Sequence, residues 1–78
     1  MAYDKNVDVA VFAESIDLDL TKITVAVYSY NNGTPKLQIS RENRNTNTGE
    51  WIFSKLGRMT KQEVEAVLPL IQKAMAKL

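Results

Sequence analysis

The chain has 78 residues, a formal net charge of +1, and neither cysteine nor histidine. That length allows one domain, 1–78, with a small core, since a domain this short buries only roughly 60% of its unfolded surface. The missing residue types exclude disulfides, thiolate or imidazole metal centres and the commonest general base, so dimerisation is the expected source of extra buried surface.

Residues 1–6 read as a loose end. Val7, Val9, Val11 and Ala13 alternate with Asp8, Ala10, Phe12 and Glu14, which predicts a first strand. Ile16, Leu18 and Leu20 continue the alternation in the opposite parity, which predicts a bulge or turn near Glu14 and Ser15. Asp17 and Asp19 have no third carboxylate in view and read as solvated strand residues rather than a metal pair.

Lys22 to Tyr30, KITVAVYSY, is β-branched and alternating and is the clearest strand. Ile23, Val25 and Val27 share one face; Thr24, Ala26, Tyr28 and Tyr30 share the other. Asn31-Asn32-Gly33-Thr34-Pro35 is a turn by composition. Lys36 to Asn43, KLQISREN, returns as the next strand, with Leu37 and Ile39 on its apolar face and Lys36, Gln38 and Ser40 on its polar one. Asn45 to Gly49 is a polar loop expected to be mobile, with Arg44 at its edge placed to close over a ligand.

Trp51 to Leu56 alternates as a last strand, and Gly57 breaks it. Thr60 with Glu63 forms the S/T-x-x-E capping box, predicting a helix from Thr60 to about Lys77. Val64, Val67, Leu68, Ile71, Ala74, Met75 and Leu78 make its apolar stripe. Leu70 lies off that stripe and hints weakly at a second contact, such as a partner subunit, although a lone exposed leucine is commonplace. Pro69 deletes a hydrogen bond and predicts a bend.

The elements add up to an α+β fold, one antiparallel sheet with the helix across one face. Parity puts Ile23, Val25, Val27, Leu37, Ile39, Ile52 and Leu56 under the helix. It puts Tyr28, Tyr30, Lys36, Gln38, Ser40, Trp51, Phe53 and Lys55 on the open face. The charge is uneven. Lys5 against Asp4, Asp8, Glu14, Asp17 and Asp19 leaves residues 1–21 at −4. Residues 22–61 stand at +5, with Lys22, Lys36, Arg41, Arg44, Lys55, Arg58 and Lys61 opposed only by Glu42 and Glu50.

A face of aromatic rings among cations suits a single-stranded nucleic acid, whose bases stack and whose phosphates pair with the cations. Catalysis has little material. There is no Gly-flanked serine, phosphate-loop or dinucleotide pattern, and Glu42 and Glu50 sit among arginines and lysines as surface ion-pair partners. The reading is a non-enzymatic binding protein without a cofactor.

From about Lys22 to Leu78 the chain resembles the single-stranded-DNA-binding domain of the transcriptional coactivator positive cofactor 4 and its compact bacterial and phage relatives. The resemblance rests on the strand order, on K-L-G-R-M at Lys55 to Met59 followed by T-K-Q-E-V, and on KLQISREN with its Arg41-Glu42 pair. It implies a curved four-stranded antiparallel sheet, one C-terminal helix, and a two-fold homodimer with helices paired across the axis.

The resemblance also implies DNA contacts from Lys55 and Arg41 and stacking near Tyr30. The family's stacking tryptophan follows the Arg-Glu pair, where this chain has Asn43 or Arg44, and Trp51 is the substitute from the next strand. The acidic, serine-rich tail of the eukaryotic protein has no counterpart.

The expected function is sequence-tolerant single-stranded-DNA binding in transcription, replication or recombination, with transcription or replication proteins as further partners. Arg41, Arg44, Lys36, Lys55 and Arg58 would hold phosphates. Tyr28, Tyr30, Trp51 and Phe53 would stack, and Gln38 would share the face. The rivals are a protein-interaction module using the same face and single-stranded RNA binding. No apolar run approaches the roughly 20 residues of a membrane span, and Asp4 and Asp8 stand where a signal peptide would be apolar. An intracellular setting is expected: the cytoplasm or nucleoid of a bacterium or phage-infected host, or a nucleus.

Overall fold

The computed structural model describes residues 8–78; the expectations for residues 1–6 and for Val7 lie outside them. Four strands, β1 (Asp8–Leu18), β2 (Thr21–Tyr30), β3 (Lys36–Arg44) and β4 (Trp51–Ser54), precede one helix, α1 (Lys61–Met75). The strands form an antiparallel sheet in the order β1-β2-β3-β4. This is the α+β architecture expected of the sequence.

β2 is central because its alternation is the most complete. Ile23, Val25 and Val27 are fully buried and meet Val67, Leu70 and Ala74 of α1. Phe12, Ile16, Ile39, Met59 and Ile71 pack around this core. The helix lies over β1 and β2. Leu37 and Ile52 have the helix-side parity but remain exposed, contrary to the expectation that they pack beneath α1.

The β1 irregularity falls between Ala10 and Phe12, not at Glu14 and Ser15. Val11 is the extra residue. Placing it there brings Phe12, Glu14, Ile16 and Leu18 onto the helix side in one unbroken parity, and Glu14 serves that side by pairing with Lys73 of α1 at 3.3 Å. β1 therefore ends at Leu18, and Asp19, with φ 59°, and Leu20 form the turn into β2 rather than more strand.

The β2–β3 turn follows its composition. Asn31 and Asn32 have φ of 52° and 57°, and the Gly33 N–H donates to the Tyr30 carbonyl at 2.8 Å. Positive φ at both central residues matches the right-handed strand twist. A Cβ on Gly33 would lie 2.9 Å from the Tyr30 carbonyl, so the position excludes larger residues.

The Asn45–Gly49 loop is hydrogen-bonded within itself. The Asn45 N–H donates to the Glu50 carbonyl at 2.8 Å and the Gly49 N–H to the Asn45 carbonyl at 2.6 Å. The Asn45 and Thr48 side chains accept from the N–H groups of Asn47 and Glu50. Short polar side chains here close the turn on itself.

β4 ends at Ser54, two residues before the predicted end. The reason is Arg41. Its Nε donates to the Leu56 carbonyl at 3.1 Å and its Nη2 to the Arg58 carbonyl at 3.3 Å, so a side chain replaces the sheet ladder. Gly57, with φ 57°, sits between those carbonyls in a conformation that favours glycine. Thr60 caps α1 as predicted: its Oγ1 accepts from the Glu63 N–H at 3.1 Å and its N–H donates to Glu63 Oε1 at 2.9 Å. The helix continues through Pro69.

Candidate nucleic-acid interface

Strand register decides which side chains share the uncovered face. Lys22 pairs with Glu42, Tyr28 with Lys36, Ala26 with Gln38, Glu42 with Phe53 and Arg44 with Trp51. Cross-strand partners project to the same side. Tyr28, Tyr30, Lys36, Gln38, Trp51 and Phe53 therefore stand opposite α1, as parity predicts, and Arg44 stands there with them.

They form two centres rather than one strip. At one corner Trp51 meets two cations, with Lys22 Nζ 4.8 Å and the Arg44 guanidinium carbon 5.8 Å from the ring centroid. Phe53 beside it is 74% exposed. Cations at these distances are attracted to the ring's electron-rich face and hold the indole in place. At the other end Tyr28, Tyr30, Lys36 and Gln38 line a cavity of about 400 Å³ together with Asp8 and the Gly33-Thr34 turn.

The floor between the centres is made of small side chains, Thr24, Ala26 and Ser40, with Thr24 hydrogen-bonded to Ser15 at 2.7 Å. Tyr28 lies six positions beyond Lys22 on β2, or about 20 Å at ~3.3 Å per residue.

Arg41 is a correction. It faces α1, is 9% exposed and makes a bidentate pair with Glu63, with Nη1 to Oε2 at 2.7 Å and Nη2 to Oε1 at 3.1 Å. All of its donor nitrogens are engaged within the protein, so Arg41 does not belong to the open face. The physical reason is parity: Leu37, Ile39 and Arg41 are alternate residues of β3 and point together. The Arg41 hydrogen bond, then the Thr60 backbone N–H, hold the Glu63 carboxyl down at about 2.

Lys55 and Arg58 are exposed in the segment between β4 and α1. They lie beyond the last strand rather than on it, because the Arg41 side chain has taken the carbonyls that would extend β4. Lys22 and Glu42 are the residues that the site reading missed. Lys22 approaches Glu42 at 3.8 Å as well as the indole. Its place was legible in the even parity that it shares with Thr24, Ala26 and Tyr28.

No family model, curated protein or solved structure matches this chain. Among the described residues, no helix is long and apolar enough to cross a membrane.

Proposed function

We propose that the chain binds single-stranded DNA with little regard to sequence, as a homodimer and without chemistry of its own, in transcription, replication or recombination. The observation that carries this reading is Trp51, approached by Lys22 and Arg44 on the uncovered face beside an exposed Phe53. The ring offers a stacking plane and the two cations offer phosphate partners. Stacking on such a ring contributes roughly 1–3 kcal/mol per base and tolerates any base. Lys36 serves the second centre, and Lys55 and Arg58 extend the positive edge toward the helix.

The resemblance to the positive cofactor 4 family supports the same reading. Trp51 is the register partner of Arg44, so the indole comes from β4 to the neighbourhood where the family's tryptophan would stand on β3. The Arg41-Glu42 pair divides its labour: Glu42 faces the cations and Arg41 anchors α1.

Support for a second copy comes from the outer side of α1. Val64, Leu68, Met75 and Leu78 are 48–63% exposed. With half-buried Ile71 they recur at alternating spacings of four and three, the seam that lets two helices pack together. Leu37 and Ile52, on the helix side of the sheet, are exposed as well. A second copy of this chain would cover both.

The test is titration of Trp51 fluorescence with oligo-dT across a salt series. Quenching is expected, with log affinity falling by about 0.7 per log unit of salt for each phosphate neutralised. An unquenched, salt-independent signal refutes the proposal. Lys55→Ala is expected to weaken binding to all sequences alike; a loss confined to particular sequences contradicts a phosphate contact.

A further inference from the structure

The cavity at the Tyr28–Tyr30 end differs in kind from the Trp51 platform. Asp8, Tyr28, Tyr30, Lys36 and Gln38 ring it, and the backbone of the Gly33 turn closes one side. Register explains the arrangement: Asp8 stands beside Tyr30 on β1, and Lys36 beside Tyr28 on β3. The turn wall is fixed by the Gly33 N–H to Tyr30 carbonyl bond and by the Ser29 hydroxyl, which donates to the Gly33 carbonyl at 2.9 Å. At about 400 Å³ the space, open to solvent on one side, has the volume of a small-ligand site. A platform for unselective stacking needs neither walls nor a carboxylate.

We propose that this cavity receives one nucleobase of the bound strand and selects guanine. The proposal rests on the single-strand-binding reading above and adds a position at which sequence is read. Guanine is the base whose pairing edge offers two adjacent donors, N1–H and the 2-amino group, to a single carboxylate, here Asp8. Its O6 and N7 acceptors suit a lysine ammonium, here Lys36, and the Gln38 amide can donate or accept beside them. The Tyr28 and Tyr30 rings supply the stacking surface. Thymine presents one N–H between two carbonyl oxygens, and those oxygens repel a carboxylate. Adenine and cytosine each present one amino group and no second donor next to it.

The experiment compares oligo-dT with the same strand carrying one central guanine, and with hypoxanthine at that position, which lacks the 2-amino group. Binding is followed by fluorescence anisotropy of labelled strands at one salt concentration. The guanine strand is expected to bind roughly tenfold more tightly than oligo-dT, with hypoxanthine between them. Asp8→Asn is expected to bring the guanine strand to the level of oligo-dT, and Gln38→Ala to reduce the advantage in part. Equal affinity for the guanine and thymine strands, or a guanine advantage that survives Asp8→Asn, overturns the assignment while leaving single-strand binding intact. Failure to bind any of the strands overturns both.

Discussion

Glu63→Gln removes one charge from a pair that holds three elements at once. Glu63 accepts two hydrogen bonds from Arg41 and one from the Thr60 N–H, while Arg41 also holds the carbonyls of Leu56 and Arg58. The Arg41 hydrogen bond, then the Thr60 N–H, lowers the carboxyl from 4.5 to about 2. At ~1.4 kcal/mol per pH unit, that difference corresponds to on the order of 3 kcal/mol of folding free energy. Both side chains are only 11–12% exposed, but the molecule is 17 Å through its thinnest axis, so screening trims the figure toward about 2 kcal/mol.

Because the folded carboxyl titrates below the unfolded one, this stability is fully present above about pH 4.5. It is lost as the pH falls toward 2. Glu63→Gln should therefore lower stability at pH 7 by about 2–3 kcal/mol, since it also leaves the shielded Arg41 charge unpaired. For a domain of this size the melting temperature should drop roughly 10–20 °C. Much of the acid-induced loss between pH 4.5 and 2 should vanish. Urea unfolding followed by circular dichroism, at one protein concentration, measures both effects. A variant as stable as the parent at pH 7, or one with the parent's full acid slope, refutes the argument. Arg41→Ala supplies the complement: it should destabilise the fold comparably, while the folded fraction still binds oligo-dT. A stable Arg41→Ala that no longer binds would return Arg41 to the DNA contact set.

Three further outcomes follow from single residues. Glu42→Gln frees Lys22 from a carboxylate 3.8 Å away; stability should change by less than about 0.5 kcal/mol, and oligo-dT affinity by Trp51 quenching should rise, a fall in affinity being contrary to the model. Leu68→Glu puts a charge in the exposed helix seam; light scattering should show monomers while the circular dichroism spectrum is retained, and a parent chain that is already monomeric at micromolar concentration contradicts the dimer. Gly33→Ala drives a methyl group to 2.9 Å from the Tyr30 carbonyl; chemical denaturation should report a loss of about 1–2 kcal/mol, and an unchanged midpoint would mean that the turn yields.

The strands and the capping box were legible because each is a local pattern. KITVAVYSY alternates without interruption, and two asparagines before a glycine specify their turn almost alone. The open face was legible too, since parity fixes the side once a strand is recognised. Arg41 shows where the reading failed although the signal was present. Its odd parity, shared with Leu37 and Ile39, already pointed under the helix, but the family resemblance assigned it to DNA. The bulge at Val11 was not legible. Valine and alanine fit either face, and the deciding fact is the contact of Phe12 and Ile16 with a helix some fifty residues away in the sequence.

The helix is the instructive case, because apolar residues occupy too much of its circumference to name the buried side. Positions 64, 67, 68, 70, 71, 74, 75 and 78 are all apolar. What selects among them is Glu63. Tied to Arg41, it must face the sheet, and the residues four, seven and eleven further on face the sheet with it. These are Val67, Leu70 and Ala74, the three buried positions of α1. The set displaced by one residue is turned by about 100°, which leaves Val64, Leu68, Met75 and Leu78 exposed and Ile71 half-buried. Leu70 therefore belongs to the core, and the residues available to a second copy are those the sequence reading had placed inside. One arginine on β3 thus sets the rotation of α1, and with it the surface on which two chains would meet. Exchanging Arg41 and Glu63 for an apolar pair would test this directly: if helix rotation depends on the ion pair, the core should lose its unique packing and the seam should lose its register even where overall stability is kept.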